Sequence, residues 1–239
     1  SCVGAIGKSG SSGFHVVDKS GDCWRYSLQA RRIVQCQVRR LAELLKVPNV
    51  NHMRSERATV DGFIAGPNGE IDFGVWDWDD AVKQYVTTLT EPVDCIVLGS
   101  KLAAGFIPHW AGVAADPAHP EHTAGIKFTT TPKVVFTKTL DQSAWENTVL
   151  ATGDLVNEIT ALKAQPGQDI IAYGGASFVA SLIRHGLIDE YYLFVNPAAI
   201  GRGLAIFSEL DDKQELTLVD ATPFACGIVV LHYALRRSK

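Results

Sequence analysis

The chain has 239 residues, of which 46% are hydrophobic and 20% charged, enough apolar length to bury one sizeable core or two small ones and too much for a disordered chain. Its formal net charge of −4, from 22 Lys and Arg against 26 Asp and Glu, argues against nucleic acid or an acidic membrane face as the main partner. That mean hides a division: residues 1–52 hold eight basic and three acidic side chains, a net of +5, and the rest of the chain carries −9.

Met53, the single methionine, stands at the division, and the chain begins with Ser1. Two regions are therefore expected. Residues 1–52 read as a basic leader outside the fold, either disordered or one basic helix over 28–45, and residues 53–239 as one domain. Upstream sequence read through into the domain is one account of the leader; a tether to RNA or anionic lipid is another. Five cysteines are an odd number and none forms a C-x-x-C pair, so no disulfide framework is implied. No run approaches a bilayer span and no secretory signal opens the chain, so a cytoplasmic protein is expected.

From Val60 onward, short apolar runs alternate with amphipathic stretches, the pattern of an α/β domain. Residues 77–90 place Val82, Tyr85, Val86 and Leu89 on one helical face, and Pro92 follows. A buried strand is predicted over 95–98, stopped by Gly99. Residues 103–132, rich in Pro, Gly and His, read as irregular, with at most a short helix near Glu121. A strand over 133–137 comes next. Asp154 is then a candidate N-cap for a helix carrying Leu155, Val156, Ile159 and Leu162, closed by Pro166-Gly167. A strand over 170–173 leads into Gly174-Gly175-Ala176-Ser177 and a helix with Phe178, Val179, Leu182 and Ile183 on one face. A strand over 191–195 and two runs, 216–219 and 228–233, complete the domain, the last pair as an antiparallel hairpin.

A glycine pair between strand and helix lets the backbone approach a ligand, and a helix start offers free N–H groups and the positive end of its dipole to a phosphate. Gly174, Gly175, Ala176 and Ser177 are thus a candidate pyrophosphate cradle, or simply a tight packing turn. Gly99-Ser100-Lys101 and Thr137-Lys138 stand at two further strand ends, the place where open α/β sheets bind ligands; singly, each lysine reads as a solvated charge. The glycine-rich stretch from Gly62 to Phe73 reads either as a hinged lid or as a plain hairpin. Asp79, on the inward side of a helix mouth beside Asp77 and Asp80, is a candidate to hydrogen-bond a nitrogen heterocycle or supply a proton; the alternative is a run of helix-start acids. Gly4 to Ser9 lacks the first glycine and the preceding strand of a P-loop. His109, His119 and His122 lack metal-ligand spacing, so no metal is expected. Gly201-Arg202-Gly203 reads as a turn near the same site.

In order along residues 59–233, several segments resemble the dihydrofolate reductase-like superfamily, in the branch similar to the reductase half of bifunctional riboflavin deaminase-reductases. They are Thr59-Val60-Asp61-Gly62-Phe63-Ile64-Ala65-Gly66, Val97-Leu98-Gly99-Ser100-Lys101, the run from Lys133 to Leu140, Tyr173-Gly174-Gly175-Ala176-Ser177, and Gly186 to Glu190 running on to Asn196-Pro197 and Gly201-Arg202-Gly203. The resemblance implies a three-layer α/β domain: a central mixed, mostly parallel sheet flanked by helices, ending in an antiparallel hairpin. It also implies NADPH across the strand ends. Gly174, Gly175, Ala176 and Ser177 would hold the pyrophosphate, Gly99, Ser100 and Lys101 a second phosphate position, and Thr137 with Lys138 the adenosine 2′-phosphate. Ile64 and Ala65 would pack on the nicotinamide, Asp61 and Phe73 would meet substrate, and Asp79 would be the substrate-orienting carboxylate.

Two departures stand out. Ser100 replaces an arginine usual in this branch, which weakens the preference for NADPH over NADH. Residues 52–58 carry Arg54, Glu56 and Arg57 where the branch has an apolar first strand, so that strand is expected to be missing or degraded. The function implied is NADPH-dependent hydride transfer to a pterin such as dihydrofolate. The alternatives are reduction of an aminouracil ribosyl phosphate in riboflavin biosynthesis, and nucleotide binding without turnover. The partner is a small heterocycle, with a homodimer as the candidate assembly.

Overall fold

The computed structural model describes residues 51–71 and 78–236, with 51–57 described by their backbone. Residues 1–50 of the expected leader, Phe73 and Asp77 lie outside the described residues, whereas Asn51 and His52, expected in the leader, are strand residues of the domain. The chain divides between Lys46 and Val47, and every described residue belongs to the second unit.

Eight strands form one sheet in the order β4-β3-β2-β5-β1-β6-β8-β7, with β1 at Asn51–Thr59, β2 at Val93–Gly99, β3 at Lys133–Phe136, β4 at Thr148–Ala151, β5 at Asp169–Tyr173, β6 at Glu190–Asn196, β7 at Leu216–Pro223 and β8 at Val229–Leu235. From β4 to β6 all pairings are parallel; β8 runs antiparallel to both β6 and β7. Among the described residues, the helices are α1 at Asp80–Thr90, α2 at Ser100–Ala115, α3 at His122–Thr130, α4 at Leu155–Lys163 and α5 at Ala176–Arg184. The expected three-layer α/β architecture with a terminal hairpin is what the chain adopts.

Alternation along the buried strands separates two apolar layers. On one face Val97, Val134, Ile170, Ala172 and Tyr191 pack with Ile159 of α4 and with Val179, Leu182 and Ile183 of α5. On the other, Ile96, Leu98, Val135, Ile171 and Tyr173 meet Ala103 and Ile107 of α2 and Phe128 of α3, while Tyr192, Phe194 and Val230 meet Val82 of α1. The face expected for α1 is the one it buries, with Tyr85, Val86 and Leu89 packed beside Val82. Asp154 caps α4 as expected, accepting the Asn157 N–H at 3.0 Å.

Two expectations are corrected, and one strand is added. The first strand is present: β1 lies between β5 and β6, pairing Asn51, His52 and Met53 with Ile170, Ile171 and Ala172, and His52 to Ser55 with Glu190 to Leu193. Between Ser55 and Ala58 the register slips by one residue, a bulge, before Ala58 and Thr59 meet Val195 and Asn196. The physical reason is the backbone. Without β1, β5 and β6 would each face the gap with a row of unpaired N–H and C=O groups, and that ladder outweighs the side-chain pattern.

Secondly, 103–132 is not irregular: α3 is the short helix expected near Glu121, but most of α2 lies here as well. Pro108 inside α2 masks the signal; it removes only one bond, to the Ala104 carbonyl, and both residues are on the exposed side. The added strand is β4 at the sheet edge, where Thr148 to Ala151 carries only two strongly apolar residues and has no periodic signal.

Candidate functional site

Strands β3, β2, β5, β1 and β6 are adjacent and parallel, so their C-terminal ends share one edge of the sheet. The segments that leave this edge contain every site residue expected from sequence except Phe73 and Asp79.

At the middle of the edge, β2 and β5 each deliver a helix. Gly99 is the N-cap of α2 and Gly175 the N-cap of α5, and neither helix start has a side-chain cap. Two sets of N-terminal N–H groups, each at the positive end of a helix dipole, therefore stand on neighbouring strands. The glycines differ in what fixes them. A Cβ on Gly174 would stand 2.6 Å from Val179 Cγ2 and 2.9 Å from Phe178 Cδ1, and one on Gly99 would stand 3.0 Å from Phe178 Cβ. Those two glycines let the first turn of α5 pack beneath both strand ends. Gly175 has no atom within 4 Å of the same position, so packing gives it no reason to be glycine. Ser100 and Ala176 are the first residues of their helices, and Lys101 and Ser177 are exposed.

Phe178 is the wedge common to both helix starts, and it also meets Phe136 at 5.3 Å between ring centroids. Phe178→Ala is expected to cost about 2–3 kcal/mol, at or below the low end for aromatic truncation because the ring is only half-buried. Denaturant unfolding measures it; a cost under about 0.5 kcal/mol would remove the wedge role.

At the β3 end, Thr137 is buried and its Oγ1 accepts the N–H groups of Thr139 and Leu140, both at 3.1 Å. Lys138 Nζ donates to the carbonyls of Thr152 at 2.9 Å and Gly153 at 2.6 Å. This exposed ammonium is thus anchored over the exit of β4 rather than free in solvent.

On the β1 and β6 side, 60–66 and 197–204 run together. Ile64 N–H donates to the Leu204 carbonyl at 2.9 Å and Leu204 N–H to the Ala65 carbonyl at 2.8 Å, an antiparallel bridge. Gly203 must be glycine, since a Cβ there would lie 2.2 Å from the Ala65 oxygen. The described stretch after Gly62 is therefore not a free lid: Ile64 and Ala65 are pinned, and the exposed residues are 67–71, within and just after the Gly66 to Glu70 turn. Asp61 Oδ2 accepts Ile200 N–H at 3.0 Å and Gly201 N–H at 2.7 Å. The Thr59 hydroxyl, then the Gly201 N–H, hold its carboxyl below the usual carboxylate range.

Asp79 lies elsewhere, at the mouth of α1 beside the β7–β8 turn. It is an N-cap rather than a first-turn residue on the inward face: Oδ1 accepts Val82 N–H at 2.9 Å and Oδ2 accepts Cys226 N–H at 3.2 Å. The Val82 bond is the main cause of a lowered carboxyl pKa. Its acceptors are engaged within the fold, and no local pattern announces the Cys226 partner. His119 Nδ1 is taken by the Glu121 N–H, and no group of three metal-binding side chains gathers among the described residues. No helix among them is long and apolar enough to cross a membrane.

The RibD C-terminal domain family matches residues 54–230. The chain is 32% identical over 179 residues to the uncharacterized protein YyaP of Bacillus subtilis, covering 73% of this chain and 89% of that one. A putative riboflavin biosynthesis protein from Shewanella sp. PV-4 shares the fold with a TM-score of 0.58 and 20% identity, over 80% of this chain and all of that one. A Thermotoga maritima diaminohydroxyphosphoribosylaminopyrimidine deaminase/5-amino-6-(5-phosphoribosylamino)uracil reductase does so with a TM-score of 0.56 and 15% identity, over 87% of this chain and 62% of that one. Most of the first strand, the paired glycine-capped helices and the bridged loops fall inside the matched span, and the chain belongs to the RibD C-terminal domain family.

Proposed function

We propose that the chain is an NADPH-dependent reductase of a nitrogen heterocycle. The observation that carries this reading is the pair of uncapped helix starts at Gly99 and Gly175 on adjacent strands, with open space over Gly175. A pyrophosphate needs several convergent N–H donors, positive field and a surface without side chains, and this cradle has all three. The residues present therefore fit the cofactor. Gly174, Gly175, Ala176 and Ser177 would hold one phosphate, and Gly99, Ser100 and Lys101 the other. Lys138, with Thr137 beneath it, would face a 2′-phosphate; Lys101 supplies a cation on the same helix turn where Ser100 lacks one.

When bound, NADPH supplies a hydride. The chain's part is to orient and to exclude water. Ala65 is buried and Ile64 half-buried, so together they offer a fixed apolar ledge against which a flat ring can stack. Asp79, ionised and bonded to two N–H groups, is suited to shaping the mouth of α1 and not to giving up a proton. Protonation of the product would then come from solvent.

Dihydrofolate and an aminouracil ribosyl phosphate are both compatible with the family. The second draws on Arg202, an exposed guanidinium between Gly201 and Gly203 that makes no ion pair among the described residues and sits next to the ledge. The reading of a nucleotide-binding homologue without turnover rested on a missing or degraded first strand, and β1 pairs on both sides in the sheet.

The test is a fluorescence titration of the full chain with NADPH. It is followed by the absorbance of reduced nicotinamide with dihydrofolate and with 5-amino-6-(5-phosphoribosylamino)uracil. Saturable binding and consumption with one of the two is the expected result. Failure to bind NADPH sinks the proposal; binding without consumption returns the non-catalytic homologue.

A further inference from the structure

We infer that Asp61 is a positioning residue: its carboxylate clasps 198–204 against 60–65 and thereby fixes the Ile64–Ala65 ledge. The inference rests on the reductase reading for what the ledge does, and on the hydrogen bonds alone for what Asp61 does.

Asp61 was expected to touch substrate, but the contacts its carboxylate makes are within the chain. Both oxygens already accept: Oδ1 from Ile200 N–H at 3.3 Å, and Oδ2 from Ile200 N–H at 3.0 Å and Gly201 N–H at 2.7 Å. Two successive N–H groups converging on one carboxylate form a small anion-binding nest, which Gly201 makes reachable by taking φ +73. The rest of the clasp is backbone. Val60 N–H donates to the Ala198 carbonyl at 2.8 Å, and the Ile64, Ala65 and Leu204 bridge closes the far end. At its base Asn196, fully buried, donates to the carbonyls of Phe194 and Ala58 and so ties the ends of β6 and β1.

Among the described residues, Asp61 is thus the side chain that hydrogen-bonds across the two segments between these ends. Without it, Ile200 and Gly201 lose their acceptor at the middle of the span. The close approach of Gly203 to the Ala65 oxygen leaves little slack, so a shift of the second segment moves the ledge directly. A displacement of about 1 Å between reacting partners costs hydride transfer about a hundredfold, whereas the cradle at Gly99 and Gly175 is built on other strands.

The experiment compares the full chain with Asp61→Ala and Asp61→Asn. Amide hydrogen exchange by mass spectrometry is expected to quicken in 60–66 and 198–204 for Asp61→Ala and to stay unchanged in β2, with Asp61→Asn between the two. With dihydrofolate or the aminouracil substrate, whichever the chain reduces, kcat falls about tenfold or more while KM and the NADPH dissociation constant move by less than about threefold. The kinetic isotope effect on kcat from NADPH deuterated at C4 rises, because hydride transfer becomes more fully rate-limiting. Unchanged exchange overturns the clasp. A raised KM with kcat intact overturns positioning in favour of a substrate contact, and quickened exchange with unchanged kinetics overturns the ledge. Exchange needs no turnover. A chain that binds no NADPH therefore defeats the reductase reading, while the exchange arm still decides whether Asp61 holds the two segments.

Discussion

Gly175→Ala is expected to leave the fold intact and to weaken NADPH binding by about tenfold or more, equivalent to about 1.4 kcal/mol of binding energy, while its neighbour Gly174→Ala does the reverse. At Gly175 the backbone has φ −64 and ψ 157, which alanine adopts without strain. Replacing an N-cap glycine by alanine loses part of the capping preference and gains from a stiffer unfolded chain, so the net stability change stays within about 1 kcal/mol. The new methyl would stand in the one open place above the α5 N-terminus, where a pyrophosphate oxygen needs to approach the N–H groups. At Gly174 the methyl would meet Val179, which is β-branched, nearly fully buried and held by its helix rotamer. Overpacking of this kind costs about 1–3 kcal/mol. Thermal unfolding and fluorescence titration of the two variants separate the roles. If Gly175→Ala binds NADPH as tightly as the parent chain, the glycine pair is only a packing turn and no anion sits there.

The same two glycines mark how far sequence reaches into this site. Strand, glycine pair and amphipathic helix are neighbours along the chain, so the unit at 170–184 is legible from local pattern, as are the α4 cap at Asp154 and the terminal hairpin. Which glycine serves packing and which serves a ligand is not legible, because the deciding atoms of Phe178 and Val179 lie on the next helix turn in a geometry that spacing alone does not set. The Asp61 clasp is further out of reach: its partners Ile200 and Gly201 come 139 and 140 residues later. Proline in α2 and charge in β1 mislead for a common reason. Each is a local cost that the surroundings offset, through solvent at the exposed Ala104 carbonyl and through ladders on both sides of β1. Lys138 reads locally as a solvated charge, and only the fold brings the Thr152 and Gly153 carbonyls to its ammonium.

Asp79→Ser is expected to keep most of the stability and turnover that Asp79→Ala loses. Serine is nearly as good an N-cap as aspartate, so it can replace the bond from Val82 N–H, but it carries no charge and is too short to keep Cys226 as well. If Asp79 acts only through the mouth of α1, the serine variant turns over NADPH within a few-fold of the parent. If instead the carboxylate orients the substrate ring, serine fails as badly as alanine, by about a hundredfold or more. The pH dependence of stability gives an independent reading. Hydrogen bonds from Val82 and Cys226 lower the Asp79 pKa below its ordinary value near 4, so the folded state favours the ionised form. Its contribution is therefore complete above the unfolded pKa and is lost as pH falls through the folded one. The gap in melting temperature between the parent chain and Asp79→Ala should be widest at neutral pH and narrow below about pH 4. A gap that stays constant down to acid would mean that the carboxylate charge does nothing for the fold. Asp79 would then act on the fold only through bonds that its protonated carboxyl also accepts from Val82 and Cys226.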